Sequence, residues 1–196
     1  MRRILASQSP RRQELLRLIY SRFEVVPADA DETLPGDMSP REAVEYLAAL
    51  KAGAVAGTHP HDLVIGADTV VAIDNKILGK PRDRAQAADM LRSLSGRTHE
   101  VYTGVAVRSP KGDAGFSVCT EVEFYPLDAH TISWYLETGE YADKAGAYGI
   151  QGYGSLLVGA VRGDYFNVVG LPVARLWREL RRLGLWEAGA AGLSDS

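Results

Sequence analysis

The sequence predicts an α/β protein, and three observations carry that prediction. Short apolar runs of strand composition alternate with capped, amphipathic helical segments down the chain. Residues 63–73, Leu-Val-Ile-Gly-Ala-Asp-Thr-Val-Val-Ala-Ile, form a continuous apolar run, the composition of a central strand buried on both faces. Two later runs, His99 to Arg108 and Phe116 to Tyr125, are joined by Ser109-Pro110-Lys111-Gly112-Asp113 at a spacing that fits an antiparallel hairpin. With 196 residues, 46% of them hydrophobic, the chain can bury a core as one domain or as two small lobes.

Ile4-Leu5-Ala6 reads as the first buried strand and is followed at once by Ser7-Gln8-Ser9-Pro10-Arg11-Arg12. Ser9 suits an N-cap and Pro10 the first helical position, where its missing N–H costs nothing. Leu15, Leu16, Leu18 and Ile19 then supply an apolar helix face. Strand, tight turn and helix start together present free backbone N–H groups to an anion. Arg11 and Arg12 sit at the wrong end of this helix for cations on dipole grounds. A phosphate bound by their guanidinium groups gives a reason for the placement, and two solvated arginines is the plainer reading.

Phe23 to Val26 reads as a second strand, and Asp29-Ala30-Asp31-Glu32 as an acidic loop of a kind that is usually only solvated. Ser39-Pro40-Arg41-Glu42 is a capping box with proline at the first helical position, opening a helix that runs to about Gly57. Lys51 lies in that helix near Leu47, Ala48, Ala54 and Val55, so its stem is expected along packed surface. His59-Pro60-His61 has no third ligand nearby and is rejected as a metal pair.

One carboxylate, Asp68, interrupts the central apolar run. A buried Asp is costly unless it is paired, hydrogen-bonded or bound to a cation. Gly66 and Ala67 beside it are small enough to let another group approach the backbone. From this window a structural Asp bonded to a turn and a functional Asp stand equally open. Asp74-Asn75 reads as a hairpin turn leading to Lys76-Ile77-Leu78 and then Gly79-Lys80-Pro81. Asp83 caps a helix running through Leu94, and Asp128 caps another that ends at Gly139.

Residues 143–154 hold four glycines, Gly146, Gly149, Gly152 and Gly154, in a loop that no simple turn explains. Such loops let backbone pass close to a ligand, and Gln151 offers both a donor and an acceptor there. Ser155 to Val161 and Phe166 to Val169 are expected as strands. Gly170-Leu171-Pro172 opens a last helix with Leu176, Trp177, Leu180 and Leu183 on one face. A single domain is expected over residues 1–184, with 185–196 a disordered tail.

The formal charge of −3 argues against broad nucleic-acid binding and against attachment to an anionic membrane surface. Cys119 is the one cysteine, so no internal disulfide can form, which fits a reducing cytoplasm; a buried, inert thiol is expected. Arg2 and Arg3 precede only three apolar residues, too few for a signal-peptide core. No window approaches the ~20 apolar residues of a membrane span. A soluble, cytoplasmic protein is expected.

Several separate motifs together resemble the Maf family of nucleoside triphosphate pyrophosphatases. They are Ala6-Ser7-Gln8-Ser9-Pro10-Arg11-Arg12-Gln13-Glu14-Leu15-Leu16, Asp31-Glu32, Gly66-Ala67-Asp68-Thr69, Gly79-Lys80-Pro81 and Leu94-Ser95-Gly96-Arg97-Thr98-His99. Lys144-Ala145-Gly146-Ala147-Tyr148-Gly149-Ile150-Gln151-Gly152 and Val169-Gly170-Leu171-Pro172 complete the set, which spans about residues 2 to 183 in the family's order. The resemblance implies a two-lobed, inosine-triphosphatase-like α/β fold with a long curved mixed sheet, a central cleft and usually a homodimer. It also implies metal-dependent cleavage of a nucleoside triphosphate to the monophosphate and pyrophosphate. The Lys144 to Gly152 string resembles the branch that acts on dTTP and UTP.

The residue types suit that chemistry. Hydrolysis of a polyanion needs positive charge at the phosphates, which Arg11, Arg12, Lys51 and Lys80 can supply with the N–H groups near Ser7 to Ser9. Glu32 and Asp68 are the carboxylates assigned to a hard divalent cation, Mg²⁺ or Mn²⁺. Asp68 fits the family's catalytic base and Glu32 its metal-binding partner, and sequence alone leaves the two roles exchangeable. Thr69, Gln151 and the glycine loop are assigned to the base, with Arg11 coupling base to phosphate. Two readings of another class stand beside this one: a septum-formation regulator and a nucleotide sensor that binds without turnover.

Overall fold

The computed structural model describes residues 1–187. Its first strand, β1 (Arg3–Leu5), leads into α1 (Pro10–Arg17), where the Ser9 side chain accepts from the Arg12 N–H and Pro10 occupies the first turn. After β2 (Glu24–Val25), helix α2 (Pro40–Thr58) opens on a complete Ser39–Glu42 capping box. β3 (Leu63–Ile73) is the buried strand that its apolar run predicts. Asp74 and Asn75, both at positive φ, turn the chain into β4 (Lys76–Leu78). Then follow α3 (Arg84–Leu94), β5 (Thr98–Arg108), β6 (Ala114–Phe124), α4 (Ala129–Glu137), β7 (Val158–Arg162), α5 (Tyr165–Val169) and α6 (Val173–Arg182). Short 3₁₀ helices span Ala145–Ala147 and Gly152–Leu157.

The strands form one seven-stranded mixed sheet in the order β2-β1-β3-β5-β6-β7, with β4 also on β3. β1 runs parallel to β2 and β3, and the remaining pairs are antiparallel. β5 pairs with one edge of β3 from Val64 to Ala72. The opposite edge is shared: β1 pairs with Leu63 to Ile65 and β4 with Val71 to Ile73. Between them, residues 66–70 carry no strand on that edge among the described residues.

Two apolar bodies sit on one face of the long β3–β5 pair. Leu63, Ile65 and Ala67 pack with Leu16 and Tyr20 of the α1 region and with Leu176 and Leu180 of α6. Val71 and Ile73 pack with Leu91 and Leu94 of α3 and with Tyr135 and Leu136 of α4. The stretch around Thr69 lies between these bodies. The other face of β3 takes α2, whose Ala48, Ala52 and Val55 meet Val64. That helix lies very close to the sheet. A Cβ at Gly66 would stand 2.6 Å from the Ala48 carbonyl oxygen and 2.7 Å from the Ala52 nitrogen, so only glycine fits. Gly104, opposite Asp68 on β5, meets the Val44 backbone in the same way.

Some expectations differ from the structure. Phe166 to Val169 lies in a helix, because the Asp164 side chain accepts from the Phe166 and Asn167 N–H groups and starts a turn that overrides the β-branched composition. Ser155 to Leu157 belongs to a 3₁₀ helix, and β7 begins only at Val158. Leu18 is 61% exposed rather than part of the buried face of α1. Cys119 is half-buried, with burial pushing its thiol pKa up. Packing also runs past residue 184. Leu185 is buried, its carbonyl accepts from the Tyr20 hydroxyl at 2.9 Å, and the Trp186 indole donates to the Ile19 carbonyl at 3.1 Å. The rest of the expected tail, 188–196, lies outside the described residues. Among those described, no helix is long and apolar enough to cross a membrane.

Candidate active site

The bare stretch of β3 floors a cleft of about 1040 Å³. Side chains alternate along a strand, so Asp68 points to the α2 face and Thr69 to the other. Both border the same cleft because no neighbouring strand separates the two faces there. All nine residues expected at a site line it: Ser7, Arg11, Arg12, Glu32, Lys51, Asp68, Thr69, Lys80 and Gln151.

Asp68 has a partner. The close approach of α2 brings the Lys51 ammonium to 2.6 Å from Asp68 Oδ1 and 2.9 Å from Glu32 Oε2. The Lys51 and Asp68 side chains are mostly buried, 12% and 13% exposed, while Glu32 is 53% exposed on the rim. The lysine expected at the phosphates thus sits between two carboxylates, which converge on one cationic point. Among the described residues no group of three His, Cys, Asp or Glu side chains is gathered for a metal. A pair of carboxylates is nevertheless a donor set that suits Mg²⁺, which is commonly held by one or two carboxylates together with substrate phosphates.

Arg12 is anchored by three contacts. Its Nε donates to the Gly170 carbonyl at 2.9 Å, Nη2 to Thr69 Oγ1 at 3.0 Å and Nη1 to Ser7 Oγ at 3.3 Å. Five guanidinium N–H groups less these three leave two, one on each terminal nitrogen, for an anion in the cleft. Burial draws the Arg12 pKa down from its usual value, and the nearby Asp68 charge acts in the opposite direction.

Beneath Arg12 the hydrogen-bond directions are determined. The Thr103 hydroxyl donates its one hydrogen to the Asn167 carbonyl at 2.8 Å, so at its 2.9 Å contact with Thr69 it must accept. Thr69 therefore donates to Thr103 and accepts from Arg12. Its donor is committed inward, and toward the cleft Thr69 can offer only an acceptor. Thr103 and Asn167 are completely buried, and the Asn167 amide group donates to the Val101 carbonyl and to Thr120 Oγ1.

The glycine loop also lines the cleft. Gln151 is exposed toward the cleft and immediately precedes the 3₁₀ helix Gly152–Leu157 without capping it by its side chain. Tyr148 is buried in this loop, its hydroxyl 2.7 Å from His99 Nε2. Glu140, Asp143, Lys144 and Gly170 also line the cleft, though residue chemistry alone did not single them out. Lys144 Nζ donates to the Glu140 carbonyl and to Asp143 Oδ1 at 2.7 Å. Lys144 and Gly170 fall inside motif strings legible in the sequence; Glu140 has no such signal.

Comparison with known proteins gives a consistent result. Over 188 residues the chain is 52% identical to the dTTP/UTP pyrophosphatase of Bacillus cytotoxicus, covering 96% of this chain and 97% of that protein. It is 53% identical over 181 residues to the dTTP/UTP pyrophosphatase of a Geobacillus species, covering 92% and 97%. The structure of the Staphylococcus aureus Ham1 protein aligns with a TM-score of 0.47 at 17% identity, over 63% of this chain and 72% of that one. Residues 2–183 match the family described as Maf-like protein, and the chain belongs to that family.

Proposed function

We propose that this protein hydrolyses dTTP and UTP to the nucleoside monophosphate and pyrophosphate. The observation that carries the reading is the meeting, in one cleft, of Arg11, Arg12 and Lys80 with the Lys51–Asp68–Glu32 group. The relatives named above bear the same activity in their names. Arg12 offers its two remaining N–H groups to the phosphates, and Arg11 and the exposed Lys80 add positive charge in the same cleft. Asp68 takes a proton from the water that attacks the α-phosphorus. As the new P–O bond forms, the bond to the β-phosphate oxygen breaks and pyrophosphate leaves. Lys51 holds Asp68 through Oδ1, which leaves Oδ2 for the proton. Glu32 and Asp68 would hold a divalent cation, which when bound acidifies water and screens phosphate charge.

Gln151 is the residue assigned to the base, from the glycine loop that lines the same cleft as Arg12. Thymine and uracil present an N3–H between two carbonyl oxygens, a pattern one carboxamide can match on both counts. Thr69 contributes at most an acceptor. The test is product chromatography with UTP, dTTP, CTP and GTP in the presence of Mg²⁺ or Mn²⁺, on wild type and Gln151→Ala. UMP and pyrophosphate are expected from UTP, with CTP and GTP poor substrates for the wild type and the preference weakened in the variant. UDP with phosphate as first products, or binding without turnover, would overturn the proposal.

A further inference from the structure

The geometry points to Glu140 as a positioning residue for recognition of the base, an inference that rests on the assignment of Gln151 just made. Glu140 follows α4 after the Gly139 turn, where the Thr138 hydroxyl accepts from its N–H at 3.2 Å. Its carboxylate straddles the start of the 3₁₀ helix Gly152–Leu157. Oε1 accepts from the Tyr153 N–H at 3.1 Å and Oε2 from the Gly154 N–H at 3.2 Å. These N–H groups open a helix and have no partner in an earlier turn, so an N-cap side chain usually takes them. Here the residue before the helix is Gln151, and its side chain makes no cap. A carboxylate from a distant segment does the capping, and the Gln151 carboxamide is left for the cleft.

The surrounding chain is shaped around this contact. Gly152 has φ +64, and a Cβ there would collide with Glu140 Oε1. The Glu140 carbonyl accepts from Lys144 Nζ, and the Lys144 stem lies against Gly149, where an added Cβ would come within 2.8 Å of it. The Glu140 carboxylate therefore fixes the backbone immediately after Gln151 through two charge-assisted bonds, while the main-chain carbonyl of the same residue holds Lys144 against the backbone two residues before Gln151. A carboxamide can flip to suit either pyrimidine, so it discriminates only where neighbouring groups hold it one way round; the backbone groups of this loop can do so once the loop itself is held in place.

Base recognition is thereby separate from phosphate recognition, which rests on Arg11 and Arg12 of α1 and on Lys80 after β4. The experiment measures kcat/KM for UTP and CTP, together with inhibition by UMP and by pyrophosphate, in wild type, Glu140→Gln and Glu140→Ala. Removing two such bonds is expected to lower the UTP/CTP preference about tenfold in Glu140→Ala, chiefly through KM, with Glu140→Gln between it and wild type. UMP inhibition should weaken in parallel while pyrophosphate inhibition stays at the wild-type level. Thermal unfolding of both variants separates this split from a folding defect. A wild type that prefers UTP and variants that keep the full preference would overturn the role of Glu140 alone. Equal loss of UMP and pyrophosphate binding would also overturn it, by marking a general structural defect. A wild type indifferent to the base would overturn the assignment of Gln151 first.

Discussion

Replacing Arg12 by lysine keeps a formal cation at the cleft and removes everything else that Arg12 does. The guanidinium reaches Gly170, Thr69 and Ser7 at once and still has one N–H on each terminal nitrogen for a phosphate. An ammonium has three donors on one atom and cannot span those acceptors. If it faces the phosphate it gives up the anchors, and the substrate loses one of two charge-assisted bonds, worth about 1.5–3 kcal/mol. That corresponds to about a 10- to 150-fold drop in kcat/KM for UTP at neutral pH.

The pH dependence supplies a second, independent readout. Burial lowers the pKa of the group at this position. Arginine starts so high that it stays charged throughout the working range, whereas lysine starts near ~10.4 and is drawn toward neutrality. A lysine is an effective phosphate ligand only below its pKa, so Arg12→Lys should lose activity toward alkaline pH, beginning below the ~10.4 of a free lysine, where wild type retains its charge. Steady-state kinetics on UTP across that range, with thermal unfolding to verify the fold, checks both effects. A variant within about threefold of wild type with an unchanged alkaline limb would refute the anchoring argument.

Two further outcomes follow from other parts of the molecule. Asp68→Asn should lower kcat about 10²- to 10⁴-fold while nucleotide still binds in a titration, because Lys51 keeps its contact with Glu32 and the variant stays folded; near-wild-type turnover would remove β3 from the chemistry. His99 is buried against Phe124 and Tyr148, and burial depresses its pKa to about 4. The unfolded chain protonates this ring near ~6.5 while the folded chain keeps it neutral, so stability falls as pH drops through that window, by about 3 kcal/mol at its acid end. Thermal melts from pH 7 to pH 4 should show that slope, and a shallower one in His99→Phe.

The elements that were legible in the sequence are those whose causes are local. The Ser39–Glu42 capping box, Pro10 at a helix start, the apolar run of β3 and the Asp74-Asn75 turn each act within a few residues, and each appears where its chemistry places it. Phe166 to Val169 reads as a strand because its β-branched pair outweighs a single aspartate in composition, whereas in the folded chain the Asp164 carboxylate satisfies two N–H groups and decides the turn. Leu185 and Trp186 read as tail because their hydrogen-bond and packing partners, Tyr20 and Ile19, lie more than 160 residues away. The same limit applies to the site. Residue types and motif strings pick out Asp68, Arg12 and Gln151, but the Lys51 contacts with Asp68 and Glu32, the Thr69–Thr103–Asn167 chain and the Glu140 cap all depend on side chains that only the fold brings together.

One local device does reach across the whole site. Extending the β1–β3 register would set Gln8 beside Asp68, and a β1 longer by a few residues would pair along the bare edge of β3 and divide the cleft between its two faces. Ser9 and Pro10 prevent that. Proline cannot donate to a strand ladder, and Ser9 turns its side chain to the Arg12 N–H to begin α1. The turn that ends the strand therefore does two things together. It leaves Asp68 and Thr69 reachable from one cavity, and it places Arg12 where Thr69 and Gly170 can hold it. The carboxylate and the cation that the proposed hydrolysis needs reach the same cleft because one strand stops where it does.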